Sequence, residues 1–321
     1  MAPNEPQLSV VVPLCNEADT VEELCERVVE ACRAVGMAFE VVVVNDGSED
    51  GTLDKLLKLA ESHPELRVID LMRNFGHMPA LSAGLERARG QAIVVMDGDL
   101  QDPPELIGPL VEKWRAGAEV VYALRATRQD GFLLRVSTAL FYGVLGLVTG
   151  RRIPAQAGTF GLMDRKVANA LLRMPERNRY FAGLRAWAGG RQEFVTYDRP
   201  ARASGRSRVG FLGLLRLSRT ALLSFSTVPL RVSSLLALLT SAVLLSVGLV
   251  ATVEKLFTSL AIPGWASTMV MIGTVGGVQS LVLFVLCEYV AVIFEELKQR
   301  PLYVVRAEFG AEAAGDDPPS T

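Results

Sequence analysis

Ala92-Ile93-Val94-Val95-Met96-Asp97-Gly98-Asp99-Leu100-Gln101-Asp102-Pro103-Pro104-Glu105 is the stretch on which the fold turns. The apolar run Ile93 to Met96 reads as a strand buried on both faces. It stops at two acids separated by one glycine. Residues two apart on a regular strand point the same way. Gly98 permits a turn, so the two carboxylates can instead take different partners. Pro103 and Pro104 then start a helix, as proline prefers. Oxygen ligands this dense suit Mg²⁺ or Mn²⁺ carrying a diphosphate. The same residues also fit a surface turn with solvated acids, and the remainder of the chain has to decide between them.

Upstream, three more apolar strands alternate with amphipathic helices. Leu8 to Leu14 is followed by Asn16-Glu17 and a helical pattern through Val35. Val41 to Val44 is followed by Asn45-Asp46-Gly47-Ser48 and a helix from Thr52 to about Ser62. Val68 to Leu71 is followed by Arg73-Asn74-Phe75-Gly76-His77 and a helix carrying Leu81, Leu85 and Ala88. This alternation predicts an α/β domain with a doubly covered, mostly parallel sheet. Ligands of such sheets sit at the carboxyl ends of the strands. Asn16/Glu17, Asp46/Ser48, Arg73/Asn74 and Asp97/Asp99 all fall there, which favours a binding site over four unrelated turns. No Gly-x-Gly-x-x-Gly follows the first strand, which argues against a dinucleotide-binding domain.

Downstream, Val120 to Leu124 reads as a strand, followed by Arg125 and Arg128 and a long apolar helix at Phe132 to Val148. Phe160 to Met163 reads as a short strand with Asp164 capping the next helix. Gly183 to Ala188, with Trp187, is a helical or loop piece, and Phe194 to Tyr197 a last strand.

Composition narrows the class. The 321 residues carry 33 Lys+Arg and 35 Asp+Glu, a balance that points to no nucleic-acid partner. Hydrophobic residues make up 50% and mean hydropathy is +0.29, high for a wholly soluble protein. Cys15, Cys25, Cys32 and Cys287 show no zinc or redox spacing. Cys25 and Cys32 share one helical pattern and read as buried thiols of a reducing compartment. The two histidines are too few for a His-based metal site. Met1 to Gln7 is short, polar and proline-bearing, and is expected to be no signal peptide.

From Arg199 to Arg231 the chain has seven arginines and no acid, interleaved with leucines. A helix so patterned lies at a membrane surface or packs on the domain. Val232 to Val253 and Met269 to Phe294 are apolar runs, the second broken only by Gln279 and Glu288. Each meets the length of about 20 residues that spans a bilayer. Arg231 precedes the first, and Lys298 and Arg300 follow the second. The positive-inside rule then puts both termini in the cytoplasm. The expected organisation is a catalytic domain at 1–198, an interface segment at 199–231, a two-helix membrane domain at 232–305 and a disordered tail at 306–321. Glu288, costly inside a membrane, is expected to pair helices or serve function.

Asn45-Asp46-Gly47-Ser48, Arg73-Asn74-Phe75-Gly76-His77, Asp97 to Glu105 and Phe225-Ser226-x-x-Pro229-Leu230 occur in that order, and Glu288-Tyr289 and Lys298-Gln299-Arg300-Pro301-x-Tyr303 close the chain. In this the chain resembles the membrane-anchored polyprenyl-phosphate glycosyltransferases of glycosyltransferase family two, the dolichol-phosphate-mannose-synthase-like group. It is similar above all to the bactoprenol glucosyltransferases with a C-terminal helix pair. The chain departs from the family pattern at Phe160-Gly161, where an Arg often follows the Phe. It departs again at Ser207-Arg208-Val209, where Lys-Tyr often follows the serine, and at Cys287-Glu288-Tyr289, where Gly-Glu-Tyr is usual.

The resemblance implies a GT-A-type sheet, amphipathic interface helices and two transmembrane helices in the cell (inner) membrane, with the catalytic domain cytoplasmic. It implies inverting transfer of a sugar from a nucleotide-sugar donor, UDP-glucose first, to a polyprenyl phosphate such as undecaprenyl phosphate, with Mg²⁺ or Mn²⁺. Carried over by motif, Asp99 and Gln101 would hold the metal and Asp97 the ribose or diphosphate. Asp46 would bond the base or ribose, with Asn16, Glu17, Ser48 and Arg73 lining the pocket. Arg125, Arg128, Arg206, Ser207 and Arg208 would grip the lipid phosphate. Competing roles are an Asx turn for Asp46, a surface ion pair for Arg73 and a helix cap for His77. For Arg216 and Arg219 the competing role is attraction to anionic headgroups. The partners implied are donor, acceptor and lipid bilayer, with room for a homo-oligomer. The competing functions are a non-catalytic membrane scaffold and a processive polysaccharide synthase of the same fold. The latter usually carries Gln-x-x-Arg-Trp, a context that Trp187 lacks.

Overall fold

The computed structural model describes residues 5–125, 157–174, 176–177, 179, 181–197, 228–257 and 264–310. The elements in order are β1 (Leu8–Leu14), α1 (Val21–Val35), β2 (Phe39–Asn45), α2 (Thr52–Ser62), β3 (Leu66–Leu71), α3 (His77–Arg87) and β4 (Ala92–Val95). A 3₁₀ turn, Pro104–Leu106, leads into α4 (Ile107–Arg115). Then come β5 (Val120–Arg125), β6 (Ala157–Asp164), α5 (Arg165–Leu172), α6 (Phe181–Ala188), β7 (Gln192–Tyr197), α7 (Val228–Phe257), α8 (Trp265–Leu297) and β8 (Val305–Phe309).

The eight strands form one sheet in the order β7-β5-β6-β4-β1-β2-β3-β8. β4, β1, β2 and β3 run parallel, as do β5 and β7. β6 runs antiparallel between β4 and β5, and β8 antiparallel on the β3 edge. The sheet is therefore mixed, with a parallel half where the sequence alternates strand and helix. Alternate residues face opposite layers. Val10, Val12, Val41, Val43 and Val94 share one core with Val21, Leu24 and Val28 of α1 and Ile107 and Leu110 of α4. On the other face Gly84 of α3 approaches so closely that a Cβ there would lie 2.4 Å from Val11 Cγ1. The double covering expected from the apolar strands is thus met.

Local signals behave as the residues dictate. The buried positions of α1 are Val21, Leu24, Cys25, Val28, Val29 and Cys32, the spacing of one helix stripe. The helix stops at Gly36, whose φ of 70° is the left-handed cap glycine favours. Asp164 caps α5, accepting from Lys166 N at 2.9 Å.

The chain divides into two compact units, Met1–Leu215 with Arg300–Thr321, and Arg216–Gln299. Residues 306–309, expected in a disordered tail, instead belong to β8 and the first unit. Their charges find partners on the sheet edge: Arg306 pairs with Asp70, and Glu308 with Arg87 and Arg67. In the second unit, Met271–Leu297 is long and apolar enough to cross a membrane, while the described apolar run of α7, Val232–Leu244, is shorter. Among the described residues the expected pair of spanning helices is therefore met by one. The helix expected at Phe132 to Val148, the basic segment up to residue 227 and the tail beyond Gly310 lie outside the described residues.

Candidate active site

The loops after β1, β2, β3 and β4 converge at the carboxyl edge of the parallel half. Asn16 adopts φ 56°, a left-handed conformation that asparagine tolerates. Its backbone N donates to Ser48 Oγ at 2.9 Å, and its Oδ1 accepts from Glu49 N at 2.8 Å. Glu17 N donates to Thr52 Oγ1 at 3.0 Å. Asn16 and Ser48, both expected in the pocket, are therefore paired with each other's loops.

Asp46 is buried and ties the second loop to the third. Its two oxygens accept from Phe75 N at 2.7 Å and Gly76 N at 2.9 Å. This is a bridge between loops rather than an Asx turn. A carboxylate has about four lone-pair sites, so Asp46 keeps acceptor capacity for a ligand. Gly47, at φ +61°, lets the loops touch, since a Cβ there would lie 2.4 Å from Arg73 C and Asn74 N. Arg73 is exposed with its guanidinium 4.2 Å from the Phe75 ring centroid. Among the described residues it makes no ion pair.

The fourth loop carries the acids. Gly98 packs against β1, where a Cβ would lie 2.0 Å from Leu14 Cδ2. Asp97 Oδ1 is buried without a hydrogen-bond partner among the described residues, and so is Gln101 Oε1. Asp99 is half-buried, and its Oδ1 accepts from Gln101 N at 3.2 Å. Leu100 takes φ 55°, a left-handed backbone costing roughly 1–2 kcal/mol for a residue with a Cβ. Asp102, fully buried, accepts from Tyr197 Oη at 2.7 Å.

This arrangement fits a divalent cation. A buried acceptor without a donor is costly; the loop that carries Asp99 holds two oxygens without a hydrogen bond, Gln101 Oε1 and the Asp97 Oδ1 that faces His77. Among the described residues no three His, Cys, Asp or Glu cluster as metal ligands.

Two residues the sequence reading passed over belong to this edge. His77, read as a cap, opens α3 with Nε2 3.4 Å from Asp97 Oδ1. Tyr197 arrives because β7 is parallel to β5 and so ends at the same edge; the strand-end rule could have marked it. Arg125 ends β5 opposite Tyr197 in that register and so stands at the expected edge. Arg128, Arg206, Ser207 and Arg208 lie outside the described residues. The departure at Gly161 has a steric reason. A Cβ there would lie 2.4 Å from Val121 O and 3.0 Å from Arg185 Nη1. Arg185 is fully buried, 4.2 Å over the Tyr122 ring, and donates to Gly158 O and Thr159 O.

Residues 9–172 match the profile described as Glycosyl transferase family 2. The chain is 42% identical to an uncharacterised glycosyltransferase of Synechocystis sp., over 95% of this chain and 96% of that protein. It is 37% identical to the bactoprenol glucosyl transferase of Shigella phage SfV, over 94% of this chain and 99% of that protein. Among solved structures it is similar to glucosyl-3-phosphoglycerate synthase from Mycobacterium tuberculosis in complex with Mn²⁺, UDP and glucosyl-3-phosphoglycerate. That likeness has 18% identity over 67% of this chain and 76% of that one, with a TM-score of 0.47.

Proposed function

The chain belongs to glycosyl transferase family 2, and from that premise we propose that it moves a sugar from a nucleotide sugar to a polyprenyl phosphate at the cytoplasmic face of a membrane. UDP-glucose is the proposed donor, and the bactoprenol glucosyl transferase relative, matched over nearly its whole length, supports acceptor and sugar alike. The observation that carries the reading is one loop that brings to the carboxyl edge the Asp99 carboxylate, the Asp97 carboxylate facing His77, and a buried Gln101 Oε1 with no hydrogen-bond partner among the described residues.

Asp99 and Gln101 would hold the cation, and Asp97 the ribose or diphosphate. A bound divalent cation supplies neutralisation of the charge that develops on the leaving nucleoside diphosphate. Asp46 holds the second and third loops together around the nucleotide, and Arg73 stands beside the donor. The acceptor is a phosphate monoester whose second pKa is about 6. It is already largely dianionic at neutral pH, so no strong general base is needed. Arg125, Arg128, Arg206, Ser207 and Arg208 would hold that phosphate in line with the anomeric carbon. The result is a single displacement with inversion. The proposed anchor is α7 and α8 crossing the membrane as a pair. The 30 residues of α7 extend about 45 Å at 1.5 Å per residue, against a hydrocarbon core of about 30 Å.

The test is a donor screen with purified full-length protein, undecaprenyl phosphate and Mg²⁺ or Mn²⁺ in detergent. UDP-glucose should give a lipid-linked product in the parent, and Asp99→Ala, folded by circular dichroism, should give none. Near-parent turnover in Asp99→Ala would sink the metal assignment, and no product from any nucleotide sugar would sink the reaction.

A further inference from the structure

The chain that follows α8 returns to the donor edge. β8 pairs with β3 with Asp70 opposite Ala307 and Leu71 opposite Val305, and the register slips between Asp70 and Leu71. Arg306 sits at that slip. Its Nη1 donates to Asp70 Oδ2 at 3.2 Å and its Nη2 to Met72 O at 2.7 Å. Met72 N in turn donates to Val304 O at 2.9 Å. The Asp70 side chain is only 2% exposed, and its other oxygen accepts from Asn45 Nδ2 at 2.7 Å. Asn45 Oδ1 accepts from Ser48 N at 3.3 Å, and Ser48 Oγ from Asn16 N at 2.9 Å. An unbroken chain of hydrogen bonds thus runs from β8 across the ends of β3 and β2 to the loop after β1. Met72 opens the loop whose Phe75 and Gly76 amides Asp46 holds.

We infer that Arg306 is a positioning residue of the donor pocket, setting through Asp70 and Met72 the loops that receive the nucleotide. The inference rests on the reading of those loops as the nucleotide site. A buried carboxylate stays ionised and in place when a cation and hydrogen bonds compensate it. Without Arg306, the buried Asp70 carboxylate loses the cation that holds it and shifts. That shift disturbs its acceptance from Asn45 and, through Asn45, the Ser48 and Asn16 amides. Glu308 supplies the internal comparison. It secures the same strand through Arg87 and Arg67, toward the start of β3 and away from these loops.

The experiment uses the full chain in detergent, with amide hydrogen exchange and separate titrations of UDP-glucose and undecaprenyl phosphate. Arg306→Ala should speed exchange over residues 45–48 and 72–76. It should raise the donor KM by about tenfold, the weight of one charge-assisted hydrogen bond, and leave the acceptor KM unchanged. Arg306→Lys should recover part of the donor KM, because it keeps a cation on Asp70 but cannot also hold Met72 O; it is read alone if the alanine variant does not fold. Glu308→Gln should lower the thermal midpoint and move neither readout. Parent-like exchange and donor KM in Arg306→Ala, or equal effects from Glu308→Gln, would overturn the inference. Faster exchange in Arg306→Ala together with a parent that transfers no sugar would support the positioning and overturn the reading of the pocket's ligand instead.

Discussion

Tyr197 Oη donates to Asp102 Oδ1 over 2.7 Å, so the last residue of β7 holds the loop that follows β4. That loop carries Asp99 and Gln101 and contains the left-handed Leu100. A turn strained at one residue stays in place when its neighbours are fixed. Tyr197→Phe keeps the ring, which meets Phe160 edge-on at 5.9 Å, and removes only the hydroxyl. It should cost about 1–2 kcal/mol of stability and raise the Mn²⁺ concentration for half-maximal activity several-fold. Thermal unfolding and a metal titration check this, and parent-like values in both would remove the role.

What was legible follows from how far apart the deciding residues are. Ile93 to Met96 reads as a strand buried on both faces, and the structure places Ile93 to Val95 in β4 with Met96 just beyond it; the four polar clusters share an edge once the strands are parallel. Direction was not legible for β6 and β8, because antiparallel pairing leaves no mark on so short a run. β8 was hidden further. Its Arg306 and Glu308 read as tail until Asp70, 236 positions away, supplies the partner. Tyr197 was missed for the same reason: its role depends on the β5–β7 register and not on any local pattern. Asp46 was picked out as a site residue, but its bridge to the third loop needed the close approach at Gly47.

Gly47 and Gly36 are both left-handed, with φ +61° and +70°, but only Gly47 has backbone against it. Gly36→Ala should therefore cost only the left-handed backbone, about 1 kcal/mol. Gly47→Ala adds a clash with Arg73 and Asn74 that no rotamer relieves, and should cost about 2 kcal/mol or more. Urea midpoints of the two variants, compared with the parent, check the difference. Equal losses would mean that the second and third loops part easily.

Burial pushes the thiols of Cys25 and Cys32 up to about 12, from an ordinary 9.0. Between those values the folded chain keeps protons that the unfolded chain releases. Stability is therefore unaffected below about pH 9 and falls as pH rises toward 12. At 1.36 kcal/mol per pH unit, each thiol accounts for about 2 kcal/mol near pH 10.5. Cys25→Ala opens a small cavity, so the change between pH 8 and pH 10.5 is the quantity to compare. That change should be smaller in the variant, and identical slopes would show that the thiol does not govern it.

If α7 and α8 cross the membrane as a pair, the loop between them lies opposite the catalytic unit. Ser259→Cys should then react with an impermeant maleimide in intact cells. Reaction only after permeabilisation would show that the pair does not cross.

The proposed acceptor grip includes Ser207 and Arg208, in the arginine-rich stretch that precedes α7. A direct contact and a general attraction to anionic lipid predict different behaviour. If Arg208 holds the lipid phosphate, Arg208→Ala removes one charge-assisted contact worth roughly 1.5–3 kcal/mol, or about ten- to a hundred-fold in rate. The defect should fall on polyprenyl phosphate alone, because the proposed donor site is built on other residues, Asp46, Asp97 and Asp99. If Arg208 only attracts anionic headgroups, the loss is about 1 kcal/mol and fades with salt. Neutral detergent separates the two, since it removes the anionic surface and leaves the acceptor's own phosphate. Acceptor and donor are titrated separately there, in mutant and parent. A defect that survives and is confined to the acceptor supports contact at the phosphate, while parent-like kinetics in that medium would leave Arg208 with the membrane surface only.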